Sequence, residues 1–224
     1  DYLTAPQNAA FNFGTGAFTV EAWVYLTAYP SGGEFTSIFS LGDGASPGGA
    51  YTGWGLLFTN ASISFYRYDG STETNNSAAT AIPLNTWSHV VAVRNGSSSL
   101  SIYLNGTRIL NTTSSVAYNN VNSNNLNVGY WRSGASPTDR FLTGYISNGR
   151  IVNGTAVYDP TLTTLTVPTA PLTAVSGTSL LTCQSNRFID NSTNNFTLTV
   201  SGDTKIQSFQ PFTPNTSYST YGSG

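Results

Sequence analysis

Apolar and polar residues alternate with a period of two through much of the chain, most regularly between Trp87 and Leu110. Trp87, His89, Val91 and Val93 fall on one side, and Ser88, Val90, Ala92 and Arg94 on the other, which is the pattern of a strand. Asn95-Gly96 and three serines interrupt the run and predict a flexible polar turn. Leu100, Ile102 and Leu104 then alternate with Ser101 and Tyr103. Asn105-Gly106 follows, a dipeptide that tolerates positive φ and closes tight hairpins. The stretch is predicted to be a three-strand meander.

The same period recurs elsewhere. In Phe18 to Leu26, Phe18, Val20, Ala22 and Val24 share one face, and Glu21, Trp23 and Tyr25 the other; both faces are largely apolar, as in a strand within a two-sheet sandwich. Ser37 to Leu41, Leu126 to Trp131 and Phe141 to Val152 read as strands. Trp54 to Thr59 and Ser62 to Tyr68 read as a hairpin around Asn60-Ala61. Asp69 to Ala81 and Ser133 to Asp139 read as polar loops. Ala156 to Pro171 holds three prolines, which suits an extended connection and opposes helix. Ser179 to Thr182, Phe196 to Val200 and Lys205 to Ser208 are expected to be short strands. Apolar spacing of i, i+3, i+4, i+7 does not persist over a dozen residues, so the chain is predicted to be all-β.

Composition narrows the function. Charged residues make up 8% of the chain, against about 25% in an average soluble protein. The formal net charge is −2, so no basic field exists to hold a phosphate backbone and nucleic acid is not an expected partner. Apolar residues at 39% are ample for a core, so the low charge does not signal disorder. Cys183 is the one cysteine, which rules out an intramolecular disulfide. No run approaches the ~18 apolar residues that a membrane helix needs, so membrane insertion is not expected. Methionine is absent, which suggests a processed or excised segment of something longer.

Three motifs together carry a family resemblance: the W-x-H-V strand from Trp87 followed by L-x-I-Y-L-N-G at Leu100 to Gly106, FTVEAWVYL at Phe18 to Leu26, and LTGYISNGRIV at Leu142 to Val152. In this order they resemble the laminin-G-like branch of the concanavalin A-like lectin/glucanase jelly rolls. The resemblance implies a two-sheet antiparallel jelly-roll sandwich over residues 1–172, with a C-terminal β extension over 173–224 that completes the sandwich or links it to a next module. The segment Leu180 to Phe212 is similar to one that follows laminin-G-like modules in marine bacteriophage virion proteins. That likeness implies a structural and adhesive module of a tail fibre or similar virion appendage. Its implied setting is the virion surface, with neighbouring modules or copies as partners. An architectural subunit of an extracellular filament and a soluble lectin stand as alternatives.

The chemistry expected of such a module is binding. The glucanase side of the superfamily carries E-x-D-x-E or E-x-D-x-x-E on one strand, a spacing that seats an acid and a nucleophile on one face. Neither spacing occurs here: Glu21 has no acidic residue two or four positions on, and Asp69 and Glu73 fall in a predicted loop. No catalytic residue is assigned. His89 is expected to pack or hydrogen-bond within its sheet, and Cys183 to be a buried small hydrophobe. The resemblance also implies calcium at a sandwich rim, for which Asp43, Asp69 and Asp139 are oxygen donors. They form no acidic cluster, so no cofactor is predicted. Saccharides are held by aromatic stacking plus amide, carboxylate and guanidinium hydrogen bonds. Two places concentrate these groups, FYRYD at Phe65 to Asp69 and YWRSGASPTD at Tyr130 to Asp139. The candidate ligand-binding residues are therefore Tyr66, Tyr68, Asp69, Trp131, Arg132 and Asp139, with a cell-surface glycan as the ligand. The competing reading is that these aromatics pack the sandwich or a neighbouring module.

Overall fold

The computed structural model describes residues 1–42, 52–96, 98–120, 124–131 and 140–212. Its strands are β1 (Tyr2–Ala5), β2 (Phe18–Ala28), β3 (Thr36–Gly42), β4 (Gly53–Phe58), β5 (Ile63–Tyr68), β6 (Glu73–Ala78), β7 (Trp87–Arg94), β8 (Ser99–Leu104), β9 (Thr107–Thr113), β10 (Leu126–Val128), β11 (Thr143–Asn153), β12 (Thr178–Thr182) and β13 (Thr199–Ser201). They form a seven-stranded sheet in the order β13-β1-β10-β3-β4-β5-β6 and a six-stranded sheet in the order β12-β11-β2-β7-β8-β9. The described pairings between neighbouring strands are antiparallel. The protein is a two-sheet β-sandwich.

Alternation along the strands makes the core. Phe18, Val20, Ala22 and Val24 of β2 and Val90 and Ala92 of β7 face inward from the six-stranded sheet. Leu56 of β4 and Ile63 and Phe65 of β5 meet them from the seven-stranded sheet. The predicted meander is present. His89 pairs across β2 with Trp23, and Val90 across β8 with Leu104. Its second turn places Asn105 at φ 49° and Gly106 at φ 80°, the left-handed pair that a two-residue hairpin demands. Gly106 is needed for a second reason: a Cβ there would sit 2.8 Å from the Leu165 carbonyl oxygen.

Three predictions about elements need correction. Residues 73–78, read as part of a polar loop, form β6 and pair with β5 from Ile63↔Ala78 to Tyr68↔Glu73. β6 is an edge strand, so it needs no apolar face to be held by its ladder. Lys205 to Ser208 is not a strand, and the preceding strand is shorter than expected, Thr199–Ser201. Ser133 to Asp139 lies outside the described residues.

The C-terminal part lies on the same sandwich. β12 pairs with β11, and β13 with β1, so each sheet gains an edge strand from beyond residue 172. Arg94, at the inner end of β7, is fully buried. Its guanidinium donates to the carbonyl oxygens of Gly14, Gly16 and Val116 at 2.7–2.9 Å and lies against the rings of Phe18 and Tyr118. That cage satisfies a cation without a carboxylate. Among the described residues no helix is long and apolar enough to cross a membrane.

Candidate functional site

The outer face of the seven-stranded sheet gathers several of the predicted site residues. Along β5, Ile63 and Phe65 turn into the core, which turns Ser64, Tyr66 and Tyr68 outward by the two-residue period. Register carries the face to the neighbours. Ser64 lies opposite Leu57 and Ser77, Tyr66 opposite Gly55 and Asn75, and Tyr68 opposite Glu73. Trp131, just beyond β10, lays its indole edge-on against Tyr66, with ring centroids 5.2 Å apart at 86°, and Phe35 meets the same indole at 6.1 Å.

Gly55 makes that seating possible. A Cβ there would lie 2.7 Å from both the Trp131 ring and the Leu57 side chain. Beside the aromatic group is a small depression bounded by Phe35, Leu57 and Tyr66, with Ser62, Ser64, Glu73 and Asn75 as its polar edge. The arrangement offers ring and aliphatic carbon surface rimmed by hydroxyl, amide and carboxylate groups.

The individual candidates fare differently. Tyr66 is 3% and Trp131 1% exposed, so neither ring is an open stacking surface: Tyr66 bounds the depression and Trp131 packs against it. Tyr68 is half-buried and packs against this cluster, leaving part of its ring available. Asp69 serves its own turn: Oδ1 accepts from the Ser71 N–H at 3.0 Å, the Thr72 N–H at 2.7 Å and the Ser71 hydroxyl at 3.0 Å, while Oδ2 pairs with Arg67. The Thr72 and Ser71 amides hold its carboxyl well below the usual range. Arg132 and Asp139 lie outside the described residues, as does Asp43. Among the described residues no three carboxylate, imidazole or thiol groups converge as metal ligands.

Phe35, Leu57, Glu73 and Asn75 were not among the sequence candidates. Leu57 arrives from a strand whose apolar residues all resemble core, and Phe35 from the residue just before β3, outside any strand pattern. Glu73 and Asn75 were hidden because ETNNSA has no apolar alternation. The available signal was Asp69-Gly70, a hairpin dipeptide, and Gly70 does take φ 96°.

A second cluster lies on the outer face of the six-stranded sheet. Glu21 is fully buried; its Oε1 accepts from Arg150 Nε at 2.9 Å and Nη2 at 2.6 Å, and its Oε2 from His89 Nε2 at 3.0 Å and the Tyr158 hydroxyl at 2.8 Å. Arg150 also donates to the Thr173 carbonyl at 2.7 Å. Burial pushes the Glu21 carboxyl up, but the hydrogen bond from His89 and the charge of Arg150 outweigh it and hold the group below its ordinary value. Burial and the neighbouring Glu21 charge push the Tyr158 hydroxyl up, so it stays a donor. This is a closed set of partners that ties β2, β7, β11 and the following segment together. His89 is hydrogen-bonded within the sheet, through a carboxylate that the spacing of acids could not reveal.

The fold is therefore a jelly-roll sandwich of two antiparallel sheets, with an aromatic outer face on the larger sheet. The chain belongs to the laminin-G family within the concanavalin A-like lectin/glucanases superfamily, whose family model matches residues 1–159. No curated protein sequence matches the chain. Among solved structures it is similar to a candidate carbohydrate-binding protein from Bacteroides ovatus ATCC 8483, at 16% identity and a TM-score of 0.59, covering 88% of this chain and 56% of that one. It is also similar to the binding domain of botulinum neurotoxin serotype G, at 16% identity and a TM-score of 0.51, covering 69% of this chain and 37% of that one. The chain thus spans little more than half of the first and about a third of the second. At these identities the likeness concerns the fold.

Proposed function

We propose that the chain is a non-catalytic carbohydrate-binding module whose ligand lies on the outer face of the seven-stranded sheet. The observation that carries this reading is the half-buried Tyr68 beside a depression floored by Tyr66, Leu57 and Phe35 and edged by Asn75, Glu73, Ser62 and Ser64. A sugar ring offers a C–H face to an aromatic and hydroxyls to an amide, carboxylate and serine edge. Membership of a superfamily that includes lectins, and the likeness to a candidate carbohydrate-binding protein, support the same class. Against hydrolysis, Glu21 is sealed on the other sheet by Arg150, His89 and Tyr158, and Asp69 is consumed by its turn. We read residues 1–172 as the sandwich proper and 173–224 as an extension that completes it, a reading supported by the pairing of β12 and β13 with strands of the two sheets.

The likeness of Leu180 to Phe212 to segments of marine bacteriophage virion proteins supports the biological setting we propose. The module serves a tail fibre or similar appendage, exposed at the virion surface as one unit of a longer fibre. Many weak sites on such a fibre combine into strong attachment through avidity. The test is a glycan array probed with the 224-residue chain, with and without calcium. Selective binding that falls roughly tenfold, about 1.4 kcal/mol, in both Tyr68→Ala and Asn75→Ala is the expected result. A folded chain that binds no glycan refutes the reading and favours an architectural unit.

A further inference from the structure

The outer face of the six-stranded sheet is covered by two segments in contrasting ways. Over β8 and the adjoining part of β7, residues 156–165 lie on Val91, Val93 and Tyr103 and are stitched down by hydrogen bonds. Ser101 Oγ donates to the Pro160 carbonyl at 2.7 Å, the Tyr103 hydroxyl to that of Leu162 at 2.6 Å, and the Leu165 N–H to that of Gly106 at 2.8 Å. Over β11, β2 and the start of β7 the cover is residues 205–212. Phe209 contacts Tyr25, Trp87 and Tyr145 at ring-centroid distances of 4.8, 5.2 and 5.2 Å, and Phe212 contacts Trp23 at 5.7 Å. Among the described residues no hydrogen bond joins 205–212 to the sandwich, and Phe209 remains 45% exposed. A cover held by a few ring contacts opens at far lower free energy than one stitched along its length.

What lies beneath the loose cover is polar as well as aromatic. The indole N–H groups of Trp23 and Trp87 and Nδ1 of His89 are buried without a hydrogen-bond partner. His89 is fully buried, its ring tilted 5.2 Å from that of Trp23 and 6.4 Å from that of Tyr158 in the stitched segment, so it sits at the border of the two covers. Its Nε2 donates to Glu21, so in the neutral ring Nδ1 is an acceptor. Phenylalanine rings supply carbon to this surface but neither accept well from an indole N–H nor donate to an imidazole nitrogen. Buried groups left this way cost free energy that a better-matched occupant would recover. A saccharide matches: its C–H faces stack on Trp and Tyr rings, and each hydroxyl both donates and accepts.

We propose that Trp23, Tyr25, Trp87, Tyr145 and His89 form a second saccharide platform, distinct from the seven-stranded face, which residues 205–212 occupy in cis as a displaceable strap. The strap makes the platform latent: a ligand engages it only when Phe209 and Phe212 leave. This site does not depend on Tyr68, so its success or failure is read separately from that of the first.

The experiment compares the full chain, a chain lacking residues 205–224, and full-length Phe209→Ser on native affinity gels containing laminarin, xyloglucan, arabinan or galactomannan, with tryptophan fluorescence as a second readout. The expected result is at least tenfold tighter binding of one polysaccharide when the strap is removed or weakened. That gain persists in a Tyr68→Ala background and disappears with Trp87→Ala. If the shortened chain does not fold, full-length Phe209→Ser is judged by the same criteria. A folded strap-free protein that binds none of the four more tightly overturns the proposal. So does a gain that Tyr68→Ala removes, or self-association on size-exclusion chromatography in place of polysaccharide binding.

Discussion

Replacing Arg150 with methionine is the most informative perturbation of the sandwich, because it isolates one partner of a fully buried carboxylate. Methionine keeps much of the stem while removing both donors to Glu21 Oε1, at 2.9 and 2.6 Å, and the donor to the Thr173 carbonyl at 2.7 Å. His89 and Tyr158 still reach Oε2, but Oε1 is left without a listener in a site with no solvent access. Breaking one side of a buried pair in this way costs about 3–5 kcal/mol. For a chain of this size each kcal/mol is worth roughly 2–4 °C, so Tm should fall by about 6–20 °C. Urea unfolding followed by tryptophan fluorescence gives the free energy directly. Adding Glu21→Gln to Arg150→Met should recover at least about 1 kcal/mol relative to the sum of the two single losses, since the uncompensated charge is then gone. A loss below about 1 kcal/mol for Arg150→Met, or strict additivity in the double variant, would refute the claim that this ion pair holds β2 to β11.

Three further outcomes follow from the same structure. The Glu21 carboxyl is held below its ordinary value of 4.5, so its contribution to stability is present above that value and lost as pH falls through the lower folded one; urea midpoints should decline as pH falls below 4.5, and Glu21→Gln should flatten the decline. An equal decline in that variant would show that other groups cause it. Trp131→Ala removes a 1%-exposed indole from between Tyr66 and Phe35 and should cost about 3–5 kcal/mol in urea unfolding, whereas a residue serving only as a ligand contact would leave stability unchanged. Cys183 as a residue is only half-buried, just past β12, but burial of its thiol pushes that group up to about 11, so an aromatic disulfide reagent near neutral pH should label it more slowly in the native protein than in urea; equally fast native labelling would contradict its packing.

The fold was largely legible in the sequence because each central strand has a clear two-residue period. Val90 and Ala92 enter the core, and the alternation of β7 turns Val91 and Val93 to the other side, as the alternation requires. β6 was not legible: an edge strand needs only its ladder, and ETNNSA carries no buried stripe until Ala78. Long-range chemistry was harder still. Glu21 and Arg150 are 129 positions apart, and no local spacing announces their contact. The two-residue period puts Tyr66 and Tyr68 on one face, but the sequence cannot tell a floor from a platform. Gly55, by letting the Trp131 indole settle against Tyr66 and Leu57, decides that distinction.

Hydrogen–deuterium exchange of the full chain, with and without the glycan that binds best on the array, tests the location of the site most directly. Ligand-dependent protection is expected in peptides covering residues 63–78, with Tyr68→Ala needing about tenfold more glycan to reach the same protection. Protection absent from those peptides and confined to another part of the sandwich would contradict the proposed location.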